Sequence, residues 1–133
     1  MRSSQDTYTL ANGVKMPCIG LGTYQSPDAV ASAAVKDAMA AGYRLIDTAA
    51  AYGNERGVGQ GIRISGVPRE EIFVTSKLRN AAHGYQATLE AFDMTTEAIT
   101  GKLMWILGQT KDPARIHRLF YTPVANDILN YRT

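Results

Sequence analysis

The chain has 133 residues, 45% hydrophobic and 20% charged, which suits a single domain with a modest core. Its formal charge of +2 is spread over scattered Lys and Arg with no basic run, so nothing marks a nucleic-acid partner. No apolar stretch approaches the roughly 20 residues of a membrane span, and the opening Met1-Arg2-Ser3-Ser4-Gln5-Asp6-Thr7 has no signal-peptide core. With the lone Cys18 unable to form an internal disulfide, a soluble cytoplasmic protein is the expectation.

Asn12-Gly13, between Tyr8-Thr9-Leu10 and Val14-Lys15-Met16, predicts a hairpin with a two-residue turn. A strand follows over 18–21. Ser26-Pro27-Asp28 reads as a helix start, with Ser26 as cap and Val30, Ala34, Ala38 and Met39 as the inward stripe. Gly42 ends that helix. The second strand covers 44–48, and Asn54 is expected to cap a helix that buries Val58 and Ile62 and stops at Gly66. The third strand is 72–77, and a third helix begins near Tyr85 and carries Leu89 and Phe92. Strands and helices thus alternate, the pattern of right-handed parallel βαβ units. Ile19, Leu21, Leu45, Ile46, Ile72, Phe73 and Val74 should form the sheet core. Past residue 93 only helices are expected: one capped by Thr95 or Thr96 and running to Leu107, and a shorter one opened by Asp112-Pro113. Gly57-Val58-Gly59-Gln60-Gly61 lies inside a helix, so it is read as close helix packing instead of a dinucleotide loop.

Two of the apolar strands turn polar only at their carboxyl ends, the end where βα architectures place chemistry. Asp47 and then Tyr52 follow Leu45-Ile46, and Lys77 follows Ile72-Phe73-Val74-Thr75-Ser76. A carbonyl that accepts a hydride needs a proton on its oxygen. A tyrosine can deliver it once a neighbouring cation draws its pKa down from about 10. Lys77 is the natural cation, and Asp47 would keep it charged and oriented. Taken singly, Asp47 reads as a surface charge or helix cap and Lys77 as a solvated loop residue. Together at two strand ends, the three make a proton-donating site.

Residues 8 to about 93 closely resemble the aldo-keto reductases. The resemblance rests on Asn12-Gly13-Val14-Lys15-Met16-Pro17, Gly20-Leu21-Gly22-Thr23-Tyr24, Ile46-Asp47-Thr48-Ala49 with Tyr52 following, Gly66-Val67-Pro68-Arg69-Glu70-Glu71, and Thr75-Ser76-Lys77-Leu78. It implies part of a (β/α)8 TIM barrel, an N-terminal hairpin plus three βα units, that reduces a small-molecule carbonyl with NADPH or NADH. By the same resemblance Tyr52 is the proton donor, Asp47 and Lys77 are its partners, and Gly22, Thr23, Tyr24 and Asp47 line the nicotinamide pocket, with no metal. The family also carries a histidine at the end of its fourth strand, where this chain has Gly108-Gln109-Thr110-Lys111, and many relatives carry tryptophan where Arg79 stands. His83 and His117 read as surface histidines.

Residues from about 93 to 130, with Lys102-Leu103-Met104-Trp105-Ile106-Leu107-Gly108, are similar to the C-terminal helices of bacterial type I asparaginases. That resemblance implies a join, with a truncated barrel over 1–93 and a helical segment over 94–133. Three functions follow in order: an aldo-keto reductase-like oxidoreductase incomplete in this chain, a non-catalytic truncated or fused fragment able to self-associate through its sheet edges, and, remotely, an asparaginase-like hydrolase.

Overall fold

The computed structural model describes residues 3, 5–11 and 13–99. Two short strands, β1 (Thr7–Thr9) and β2 (Lys15–Pro17), form an antiparallel hairpin. Three βα units follow: β3 (Leu21–Gly22) and α1 (Asp28–Ala40), β4 (Leu45–Asp47) and α2 (Glu55–Ile64), β5 (Phe73–Thr75) and α3 (Tyr85–Ile99). The three later strands pair in parallel in the order β3-β4-β5, with Gly22 beside Asp47 and Asp47 beside Thr75. Among the described residues this is an open partial α/β layer, not a closed barrel.

The hairpin differs in one respect from its sequence reading. Its loop spans three residues between Leu10 and Val14, closed by Leu10 N–H to Val14 O (2.8 Å) and Gly13 N–H to Leu10 O (2.8 Å). Gly13 takes the left-handed position at φ +83° that such a loop requires. Asn12 itself lies outside the described residues.

Side chains alternate across a strand, and the two faces of the sheet are covered differently. Ile46 and Val74 point to the helices, where they meet Ala31, Val35, Met39, Val58, Ile62, Ile72 and Ile99. On the other face Leu45 and Phe73 pack with Leu10, Val14 and Met16 of the hairpin. One step further along the same face stand Asp47 and Thr75. The hairpin thus plugs the amino-terminal half of this face and leaves the carboxyl-terminal half to polar groups. Of the expected sheet core, Ile46, Ile72, Phe73 and Val74 are buried, and Ile19, Leu21 and Leu45 are half-buried.

The glycines of α2 decide how the helices meet. A Cβ on Gly57 would sit 2.1 Å from Asp28 O, and one on Gly61 would sit 2.5 Å from Ser32 O. On the other flank, a Cβ on Gly59 would lie 2.3 Å from Ala98 O. Close packing is therefore the role of this run, with α1 on one side and α3 on the other. The same approach corrects the stripe expected for α1. Its inner face is Ala31, Ser32, Val35, Ala38 and Met39, and Val30 is 55% exposed. Ala31, Val35, Ala38 and Met39 recur at helical spacing, and this face meets Gly57 and Gly61 of α2.

Both caps are corrected as well. Ser26 does not cap α1, which Pro27 precedes without a side-chain cap, and Asn54 makes no cap bond to α2. Asp28 serves α2 instead, accepting the Gly57 N–H at 3.0 Å from across the helix pair. Thr95 and Thr96 start no new helix, because α3 runs unbroken from Tyr85 through residue 93 to Ile99. The Thr95 hydroxyl donates to Glu55 Oε2 (3.0 Å) and that of Thr96 donates back to Phe92 O (2.8 Å). Leu89 and Phe92 are half-buried, whereas Thr88, Thr95 and Ile99 are buried. The helices expected beyond residue 99, with Trp105 and His117, lie outside the described residues.

Candidate active site

Asp47 is the last residue of β4, and Lys77 lies two residues past the end of β5. Backbone pairing continues beyond both strands through Thr48 N–H to Thr75 O (2.9 Å) and Ala50 N–H to Lys77 O (3.2 Å). Those bonds bring the two side chains to the same end of the sheet. The Lys77 ammonium donates to Asp47 Oδ1 (2.8 Å), Asp47 Oδ2 (2.7 Å) and Thr48 O (3.0 Å), which occupies all three of its protons. The Thr75 hydroxyl donates to Asp47 Oδ1 as well. The carboxylate is thus held from two sides, by a cation and a hydroxyl.

Tyr52 ends a single helical turn, Ala50–Tyr52, between β4 and α2. Its ring centroid lies 5.4 Å from Lys77 Nζ and 5.0 Å from the ring of Tyr24, which is tilted by 59°. The structure brings Asp47, Tyr52 and Lys77 together, but the ammonium meets the ring of Tyr52 and not its hydroxyl. With its protons taken by Asp47 and Thr48, Lys77 attracts the aromatic face through the ring quadrupole. The Lys77 and Asp47 side chains are 39% and 45% exposed, so the pair contributes about 0.2–1 kcal/mol to folding and its meaning lies in geometry.

Gly22 pairs with Asp47, and a Cβ built on it meets nothing within 4 Å, so the space over this strand end is open. Tyr24 is 67% exposed beside that opening. Thr23 turns the other way: it is buried, and its hydroxyl donates to that of Thr48 (2.9 Å). Among the described residues no three His, Cys, Asp or Glu side chains cluster to hold a metal. His83 is exposed, and Arg79 Nη2 donates to Ala50 O at 2.6 Å. An open cleft of about 580 Å³ lies at the opposite end of the sheet, between the hairpin and Arg44, Ile72 and Phe73. It contains none of the trio, so its size gives it no claim on the chemistry.

Sequence reasoning did not single out four residues that build this site. Thr75 shares Asp47 with Lys77, and the Thr48 carbonyl accepts from Lys77. Glu55 accepts Ser76 Oγ–H (2.6 Å) next to Lys77, and the buried Asn54 accepts the Thr48 hydroxyl (3.2 Å). In the sequence, Thr48 and Thr75 stand inside the motifs around Asp47 and Lys77, and Asn54 reads only as a helix cap.

The family model "Aldo/keto reductase family" matches residues 18–106, and the chain belongs to that family. A 9,11-endoperoxide prostaglandin H2 reductase of Trypanosoma cruzi is 52% identical over 100 residues, covering 74% of this chain and 35% of the relative. Among solved structures, an aldo/keto reductase from Brucella melitensis superposes with a TM-score of 0.69 at 46% identity, over 71% of this chain and 37% of that one. A Bombyx mori aldo-keto reductase in complex with NADP gives 0.66 at 38% identity, over 73% and 35%. The chain therefore spans about a third of the length of these relatives. The family match continues past residue 93, and the asparaginase resemblance finds no support in these comparisons.

Proposed function

We propose that this chain carries the proton-donating part of an NAD(P)H-dependent carbonyl reductase built as part of a (β/α)8 barrel. The observation that carries the reading is the Lys77 ammonium, clamped on both oxygens of Asp47 and lying 5.4 Å from the Tyr52 ring centroid. Gly22, Tyr24 and Asp47 would border the nicotinamide, with Thr23 buried behind them, and the open space over Gly22 suits a flat ring there. A reduced nicotinamide, when bound there, would supply the hydride that the carbonyl carbon accepts. The Tyr52 hydroxyl donates its proton to the carbonyl oxygen, and Lys77 stabilises the negative charge that remains on the ring. Asp47 holds Lys77 in place. The substrate is a small-molecule carbonyl.

A second reading, a non-catalytic barrel fragment that associates through its sheet edges, is favoured by the absence of histidine from Gly108-Gln109-Thr110-Lys111. Consumption of NADPH with a panel of small aldehydes separates the two. The reductase reading expects the folded chain to bind NADPH, and any turnover it supports to be abolished by Tyr52→Phe. No NADPH binding by a cooperatively folded chain, or turnover that Tyr52→Phe leaves intact, would refute it.

A further inference from the structure

The turn that carries Tyr24 is strained and held by a side chain outside it. Thr23 to Ser26 form a four-residue turn closed by Ser26 N–H to Thr23 O at 3.2 Å. Its third residue, Gln25, has φ +60°, the one non-glycine residue with positive φ among the described residues. Turns of this shape place Gly or Asn there, because a Cβ crowds the following carbonyl. Something outside the turn must hold Gln25 in this conformation.

The buried amide of Asn54, 1% exposed, does so. Its Nδ2 donates to Thr23 O (2.7 Å) and Ser26 O (2.8 Å), the first and last carbonyls of the turn. Its Oδ1 accepts the Thr48 hydroxyl (3.2 Å), which in turn accepts that of Thr23 (2.9 Å). Every polar site of the amide is thus used, and it joins the turn to the end of β4, directly after Asp47. Asn54 is free for this because Asp28 serves the amino terminus of α2. Tyr24, the second residue of the turn, is presented against Tyr52.

We propose that Asn54 is a positioning residue: its amide clamps the strained Thr23–Ser26 turn so that Tyr24 stands against Tyr52 on the side away from the β5 strand end. Lys77 and Tyr24 then both lie against the Tyr52 ring, 5.4 and 5.0 Å from its centroid. The inference rests on the reductase reading only for what this ring faces. Its geometry is testable without cofactor.

The test is an NMR experiment on the full chain with labelled tyrosine rings and backbone amides. The wild type shows a Tyr24–Tyr52 ring contact. Asn54→Ala is expected to lose it while the Gly57 amide and the β4–β5 contacts keep their wild-type signals. Adding Gln25→Gly, which removes the strain the clamp opposes, is expected to restore it. A general packing role for Asn54 predicts no such rescue. Asn54→Asp keeps the shape but, when ionised, cannot donate to either carbonyl, and should lose the ring contact in the same way. Survival of the contact in Asn54→Ala or Asn54→Asp, absence of rescue, or failure of both variants to fold would overturn the proposal. In the last case the amide would be holding the domain and not the turn. Titration of the same samples with NADPH separates this question from the functional one. A wild type with the ring contact but no NADPH binding would sink the reductase reading and leave the clamp standing.

Discussion

Replacing Gly57 by alanine tests whether the site rests on the α1–α2 contact. Alanine normally favours a helix over glycine by about 1 kcal/mol, so local propensity predicts a gain. The tertiary contact predicts the opposite. The new Cβ would lie 2.1 Å from Asp28 O, 2.8 Å from its carbonyl carbon and 2.9 Å from its Cα, all backbone atoms, whereas ordinary contact starts at 3.4 Å. No side chain can swing aside, so the helices must part by about 1 Å in a packed interior. Overpacking of this kind costs about 1–3 kcal/mol. The movement also stretches the Gly57 N–H to Asp28 carboxylate bond, worth about 1 kcal/mol at an exposed acid. Set against the propensity gain, the net expectation is a loss of about 2 kcal/mol. Urea denaturation followed by circular dichroism measures it, with Gln60→Ala, on the exposed side of the same helix, as the control expected to change little. A Gly57→Ala midpoint at or above that of the wild type would refute the argument. It would mean that the helices slide freely and that α2 does not hold Asn54 in register.

Asp47→Asn should separate stability from chemistry. Its half-exposed pair with Lys77 limits the folding cost to about 1 kcal/mol by urea denaturation, while carbonyl reduction should fall about 100-fold or more as Lys77 loses its orientation. Equal loss of both would show Asp47 to be structural. Glu55→Ala removes the acceptor of both Ser76 and Thr95. It should cost about 1–3 kcal/mol, and hydrogen exchange should rise in α3 before it rises in α1. Uniform exchange across both helices would contradict that.

Much of the molecule was legible along the chain because it depends on local periodicity. The order of strands and helices, the ends of α1 and α2 at Gly42 and Gly66, and the buried Val58 and Ile62 all follow from residues a few positions apart. The approach of Asp47, Tyr52 and Lys77 was also readable, since parallel strands bring their carboxyl ends together whatever lies between. What the local pattern could not supply were partners from distant segments. Asn54 looks like a helix cap, yet the carbonyls of Thr23 and Ser26 lie within reach and take its amide. The cap is supplied by Asp28, which accepts the Gly57 N–H from 29 residues away. The Lys77 ammonium was expected at the Tyr52 hydroxyl, but Asp47 and the Thr48 carbonyl take all three protons and leave it only the ring. The face of α1 differs from the expected stripe at one end only: Ala31 and Val35, not Val30, continue the spacing of Ala38 and Met39, and this is the face that meets the glycines of α2. Sequence pattern thus determined which elements form and which ends carry charge. Tertiary structure decided which hydrogen-bond partner each polar side chain takes, because that choice depends on distances between segments that no periodicity encodes.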